Sequence, residues 1–318
     1  MRERRLVSFS MLDGDHEQLM YERGSGSPTV LVVGGIHGDE TPSIQVAQWC
    51  RDRLDSVDGT LNVIPEANVF ACKENTRDTP WPKYEDHESE ERNMNRCFEA
   101  ASRKIRGEDV SLNLTESMAK SVLEQALAAD YVIDLHTATW PDKKLPQTRI
   151  KVDEAFDGAT VAEMERMAMH AGLSTVLKMH PGEIGGGVLA AVAPKHGVPA
   201  VTLEIGGASH FDDEDRVTYT RTVENILAYL GVVSSEPEQG RVEFYQGIRT
   251  VYTSETGVFQ PRADIGDVVE EGDVLAQVRG RDGTPEEQVR APVTGTVESL
   301  NRKRVVNEGS RAAKIVHN

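Results

Sequence analysis

Four residues in this 318-residue chain carry the atoms that a hydrolytic metal site needs. His37 and Glu40 lie in Gly34-Gly-Ile-His-Gly-Asp-Glu40, directly after the apolar run Thr29-Val-Leu-Val-Val33. His136 directly follows Tyr131-Val-Ile-Asp-Leu135, and Glu204 follows Ala200-Val-Thr-Leu203. Two imidazoles and one carboxylate, with a fourth position left for water, form the ligand set of a catalytic zinc site, and Glu204 is then left for acid/base work. Asp134, two residues before His136, is a carboxylate able to orient a ligand imidazole; a strand-end cap is the other reading of it.

A parallel sheet is the element that can gather such residues, because ligands in open α/β sheets bind outside the carboxyl ends of the strands. The run at Thr29–Val33 is short, β-branched and apolar on both faces, as a strand covered by helices requires. Further strands are expected at 61–64, 131–135 and 198–203. Helices are expected at 41–54, with Thr41 as N-cap and Pro42 as first helical residue, and at 114–129, 161–171 and 218–230. The alternation predicts an α/β fold with a mainly parallel mixed sheet flanked by helices. The stretch 74–91, rich in Pro and charge, reads as a long loop.

Gly34-Gly-Ile-His-Gly-Asp-Glu40, Asp134-Leu-His136 and Leu203-Glu204-Ile-Gly-Gly207, in this order and separation, resemble the succinylglutamate desuccinylase/aspartoacylase family, zinc amidohydrolases related to zinc carboxypeptidases. The resemblance implies a zinc-carboxypeptidase-like fold, one zinc ion per chain bound by His37, Glu40 and His136, and Glu204 as the base that activates the zinc-bound water. Asn93-Met-Asn-Arg-Cys-Phe98 resembles the family's D-x-N-R-x-F motif. By that similarity Arg77, Asn95 and Arg96 hold the carboxylate of a small anionic N-acyl amino acid, whose amide bond the protein hydrolyses. A planar guanidinium fork matches a carboxylate; without the motif, Arg77 and Arg96 would read as solvated charges paired with acids such as Asp78 and Glu99. The chain departs from the family at Asn93, where Asp is usual, at Val69, where Pro is common after Asn68, and between Ala190 and Pro199, which contains no Arg. Lys195 or His196 is left in that last stretch to polarise the scissile carbonyl. A zinc carboxypeptidase acting on peptides and a metal-binding relative without catalysis are the rival readings.

Residues 233–241 read as a polar linker, closing a catalytic domain of residues 1–232. Beyond it, 242–318 form short strands separated by Gly-Asp or Asp-Gly turns. Gly266-Asp-Val-Val and Ala291-Pro-Val-Thr-Gly-Thr-Val resemble the half-motifs of a biotinyl/lipoyl-type barrel sandwich. The stretch where such carriers display a modifiable Lys, Arg279 to Gln288, contains none, so an accessory β domain that shields the site or supports assembly is expected. A homo-oligomer stays open.

The net charge is −17, which argues against nucleic acid or an anionic membrane as partner. From Tyr245 onward there are 10 basic and 11 acidic residues, leaving 25 and 41 in residues 1–244, so the acidity belongs to the hydrolase segment. A surface with 11 Lys among 35 basic residues is what solubility in concentrated salt can use; an ordinary acidic cytosolic protein fits as well. Cys50, Cys72 and Cys97 form no C-x-x-C pair and suggest a reduced compartment. No signal-peptide or membrane-span pattern stands out, and a cytoplasmic location is expected.

Overall fold

The computed structural model describes residues 1–318 except 12–13, 55–56, 81–91, 140–142, 181, 183–186, 208–210, 239 and 281–282. Most of the expected loop at 74–91 therefore lies outside the described residues, as do 239 of the linker and 281–282 of the hairpin between the half-motifs.

At the centre, β4 (Gly59–Ile64), β3 (Thr29–Val33), β5 (Tyr131–Ala138) and β8 (Ala200–Gly207) run parallel in that spatial order. Their side chains alternate between two helical layers, which is why the strand sequences are apolar on both faces. Val30, Val32, Leu61 and Val63 pack with α1 (Thr41–Arg53), α5 (Gly158–Met169) and α7 (Asp213–Tyr229) through Ala47, Met164 and Ile226. Leu31, Val33 and Ile64 pack on the other side with α2 (Val69–Glu74), α3 (Phe98–Ile105), α4 (Leu114–Leu127) and α6 (Leu189–Lys195) through Phe70, Phe98, Leu123 and Leu189. Each fully buried Leu, Ile or Phe contributes about 1.5–3 kcal/mol. The hairpin β1 (Arg2–Met11) and β2 (Gly14–Ser25) extends the sheet antiparallel on one side.

On the other side β6 (Lys143–Lys151) pairs antiparallel with β8, and β7 (Thr175–Met179) pairs parallel with β6. The C-terminal strands join this same sheet. β15 (Gly295–Leu300) pairs with β6 through Ser299↔Lys144 and Leu300↔Lys143, and β17 (Arg311–His317) and β10 (Gly247–Tyr252) follow. A separate four-stranded sheet, β14 (Pro285–Arg290), β13 (Val274–Arg279), β11 (Gly257–Pro261) and β16 (Val305–Val306), packs on them around Leu275, Val278 and Ile315. No helix among the described residues is long and apolar enough to cross a membrane.

Two strands run further than expected. β5 continues to Ala138 and β8 to Gly207, so His136 and Glu204 sit within strands and face each other in register rather than following them. Thr41 is not the N-cap of α1: Glu40 occupies that position without a side-chain capping bond, because its carboxylate is committed elsewhere.

Candidate metal centre and its cationic cavity

The loop carrying His37 and Glu40 is held tightly against α2. Gly35 has φ +66°, and a Cβ on Gly38 would lie 2.0 Å from the backbone carbon of Ala71, so neither position accepts a side chain without moving backbone. Asn68 caps α2 by accepting from the Ala71 amide. This packing turns Glu40 inward, where Oε1 is 2.9 Å from His37 Nδ1, and Oε2 is 2.9 Å from His136 Nδ1 and accepts from the Thr137 amide at 3.0 Å. Tyr219 fixes β5 beneath by donating to the His136 carbonyl at 2.7 Å. All three side chains are buried, and one ligand atom from each lies within 4.8 Å of the other two. Burial opposes the charge on Glu40, but His37 and His136 outweigh it and hold the carboxyl well below the usual range.

The second nitrogen of each imidazole meets an oxygen. His37 Nε2 is 3.1 Å from Asn93 Oδ1, and the orientation of that amide is fixed because the same oxygen accepts from the Asn95 backbone amide. His136 Nε2 is 3.2 Å from Asp134 Oδ1, as an ion contact without good alignment, and 3.4 Å from Asn95 Nδ2. The acceptor at His37 Nε2 favours Nε2–H on that ring, whereas His136 Nε2 stands between the Asp134 carboxylate and the Asn95 amide nitrogen, a donor whose orientation is set by the Leu189 amide on its oxygen. Metal ligation by Nδ1 requires Nε2–H on both rings, with Asn93 and Asp134 as the acceptors. The donor set thus fits a divalent metal. Asn93, the position where the chain departs from the family motif, still provides the acceptor.

Glu204 stands beside this group and belongs to a different network. Lys144 Nζ donates to Oε2 at 2.6 Å and Arg149 Nη1 to Oε1 at 3.0 Å. Burial alone would push the Glu204 carboxyl up; the Lys144 ammonium and the Arg149 guanidinium outweigh it and bring it to about 2. Sequence reasoning missed both cations. The signal was present: Lys143 to Lys151 holds four basic and no acidic residues inside a segment of charge −16, with Gln147, Arg149 and Lys151 at the spacing of one strand face.

Arg77 lies at the His37-Glu40-His136 group, Nη1 donating to Glu40 Oε1 at 2.9 Å and to Thr139 Oγ1 at 2.6 Å, rather than pairing with Asp78. Asn95 is beside His136 and accepts from the Leu189 amide; Arg96 donates to the Asn95 carbonyl and lines the same cavity. Lys195 is not brought to the site. It closes α6 on the protein surface, its ammonium 2.7 Å from Glu99 on α3, and His196 is turned to Ser102. Val188, the residue that caps the start of α6, lines the cavity and no residue of the helix itself does, so a cation at the far end of α6 cannot reach the His37-Glu40-His136 group.

The cavity that joins these parts has a volume of about 550 Å³, in the range of small-molecule sites. Among the described residues, Arg77, Arg96, Lys144, Arg149 and Lys151 line it from the hydrolase segment, Arg311 and Lys314 line it from β17, and Glu40 and Glu204 are the carboxylates on its wall. Burial pushes the Lys314 ammonium down to about 8 against the pull of Glu298, and Lys144, Arg149 and Arg311 push it the same way as burial.

The chain is 26% identical over 309 residues to an N-alpha-acetyl-L-2,4-diaminobutyric acid deacetylase of Halomonas elongata, covering 92% of this chain and 83% of that one. Its fold matches the product-bound ectoine utilization protein EutE (DoeB) from Ruegeria pomeroyi, with TM-score 0.81, 21% identity and coverage of 98% of this chain and 93% of the other. It also matches a succinylglutamate desuccinylase/aspartoacylase structure from Rhodobacter sphaeroides, with TM-score 0.79, 22% identity and coverage of 99% and 95%. Residues 26–230 match the family model of the succinylglutamate desuccinylase/aspartoacylase catalytic domain, and the chain therefore belongs to this family of amide-hydrolysing enzymes.

Proposed function

We propose that this chain is a zinc-dependent amidohydrolase that removes the acyl group from a small anionic N-acyl amino acid. The observation that carries the reading is the junction of a His-Glu-His group with a cavity bearing seven cationic side chains, in a protein whose net charge is −17. A cavity of that sign, buried enough to depress Lys314, is stabilised by an incoming carboxylate and disfavours an ammonium.

His37, Glu40 and His136 would hold the zinc ion, with Asn93 and Asp134 fixing the two imidazoles. When bound, zinc supplies Lewis-acid polarisation of the amide carbonyl and acidifies water. Arg77 donates towards the same place and stabilises the oxyanion there, the task that sequence reasoning gave to Lys195. Arg96, Lys151 and Arg311 hold the substrate carboxylate. Glu204, ionised at neutral pH, takes the proton of the attacking water and passes it to the leaving amine. The anionic substrate competes for Lys144, and loosening that hold raises the proton affinity of Glu204 as the reaction needs while Arg149 stays in place.

A panel of N-acyl amino acids, scored for released amine by the zinc-loaded protein, tests this. Members with a carboxylate in the acyl group or side chain are expected to be cleaved in preference to the Nα-acetyl derivative of a diamino acid. Cleavage of C-terminal residues from peptides, or no cleavage of any member, would overturn the reading.

A further inference from the structure

The C-terminal strands reach the chemistry through one buried carboxylate. Glu298 on β15 is fully buried, although it is 94 positions beyond Glu204 and belongs to the β segment rather than to the hydrolase segment. Its Oε1 accepts from Arg149 Nη2 at 2.7 Å and from Gln147 Nε2 at 2.8 Å, while Arg149 Nε donates to Gln147 Oε1 at 3.1 Å. Gln147, Arg149 and Glu298 thus close a ring of hydrogen bonds around one guanidinium. The remaining terminal nitrogen, Nη1, has a single direction left, and it points to Glu204 Oε1. Continuity of the sheet makes this possible, since β15 pairs with β6, the strand that carries both Gln147 and Arg149.

Glu298 makes one contact with Arg149, and its second oxygen has no hydrogen-bond partner among the described residues; what distinguishes the arrangement from a simple charge pair is Gln147, which bridges the same carboxylate oxygen and Arg149 Nε. Burying a charge is costly unless geometry and further hydrogen bonds compensate, and replacement of such pairs by apolar residues is often neutral or stabilising. Here the geometry fixes the plane of the guanidinium as well as its charge, and Glu298 itself does not line the cavity. We infer that Glu298 is a positioning residue: it acts through Arg149 to hold the Glu204 carboxylate at the angle from which it takes the proton of the attacking water. The inference rests on the reading of Glu204 as general base. It makes the β segment part of the catalytic apparatus rather than a cover for it.

The test is a double-mutant cycle on the full-length, zinc-loaded protein with Glu298→Leu, which removes the acceptor, Arg149→Gln and both together, measured on the best substrate of the panel. Glu298→Leu is expected to lower kcat about 10- to 100-fold, the usual cost of losing a partner that orients a reacting group, with KM changed less than about twofold and zinc content unchanged. In the Arg149→Gln background the same change is expected to do nothing further, because the path to Glu204 is already cut. If one single variant does not fold, the double variant, which leaves neither charge without its partner, is compared with the other. Multiplicative losses in the double variant, an effect confined to KM, or a Glu298→Leu protein with wild-type kcat would overturn the inference while leaving the hydrolase reading intact. A wild-type protein inactive on every substrate would overturn the hydrolase reading and the inference with it.

Discussion

Replacing Glu204 by Gln separates its two proposed contributions, to catalysis and to the charge balance of the cavity. The side chain lies outside the His37-Glu40-His136 group, so zinc should remain at one per chain. Loss of the base should lower kcat about 10²- to 10⁴-fold. For stability, the folded carboxyl is depressed from 4.5 to about 2, which corresponds to about 3 kcal/mol of favourable interaction with Lys144 and Arg149 at neutral pH. Removing one partner of a buried ion pair costs about 3–5 kcal/mol; Arg149 keeps Glu298 and Gln147, which places the loss at the lower end. For a chain of this length that is about 4 °C in Tm. Because the folded carboxyl lies below its unfolded value, the contribution is fully present above about pH 4.5 and fades as the pH falls towards 2. The stability gap between wild type and Glu204→Gln, read from denaturant melts, should therefore shrink over that interval as wild-type Glu204 becomes protonated. Equal stability of the two proteins at pH 7, or a gap unchanged down to pH 2, would refute the charge-pair reasoning. Unchanged kcat would remove Glu204 from the mechanism.

The other consequences are more quickly tested. Arg77→Lys keeps a cation but shifts it from the place where one terminal nitrogen, Nη1, meets both Glu40 and Thr139; kcat/KM should fall about 10²-fold in steady-state assays with zinc retained, and a loss under threefold would take Arg77 away from the oxyanion. Lys195→Ala removes only a half-exposed pair with Glu99, so kcat and KM should stay within about twofold of wild type and Tm should move by less than about 1 °C. Lys314 loses its proton near pH 8 in the free protein, so kcat/KM for an anionic substrate should decline above that pH, and the decline should disappear in Lys314→Met. With 52 acidic against 35 basic residues, Tm should rise between low salt and about 1 M salt as self-repulsion is screened; a Tm independent of salt would speak for an ordinary acidic protein.

The clustering of His37, Glu40 and His136 was legible because these residues lie next to strong local patterns. A β-branched apolar run followed by Gly-Gly announces β3 and the loop after it, and Asp134-Leu-His136 and Leu203-Glu204 mark two further parallel strands by the same logic. The extensions of β5 and β8 were not visible, since polar residues such as His136, Thr137 and Glu204 break the apolar run although they still form ladder bonds. β6 was missed for a related reason: one face carries Gln147, Arg149 and Lys151, so it lacks the apolar texture of a covered strand. Lys195 illustrates the converse. Its distance along the chain from Glu204 is short, but α6 ends facing α3, and sequence proximity carries no information about which way a helix end points. Glu298 depends on the pairing of β15 with β6 across about 150 residues, which no local pattern encodes.

Hydrolysis is expected to depend on one zinc ion bound by His37, Glu40 and His136. Titrating zinc into chelator-treated protein while following amine release from an anionic N-acyl amino acid tests it most directly. Activity should rise in proportion to added zinc and level off at one zinc per chain, with His136→Ala showing neither the binding nor the rise. Amine release that persists in the chelated protein, or stoichiometric zinc binding without release from any substrate, would contradict the account.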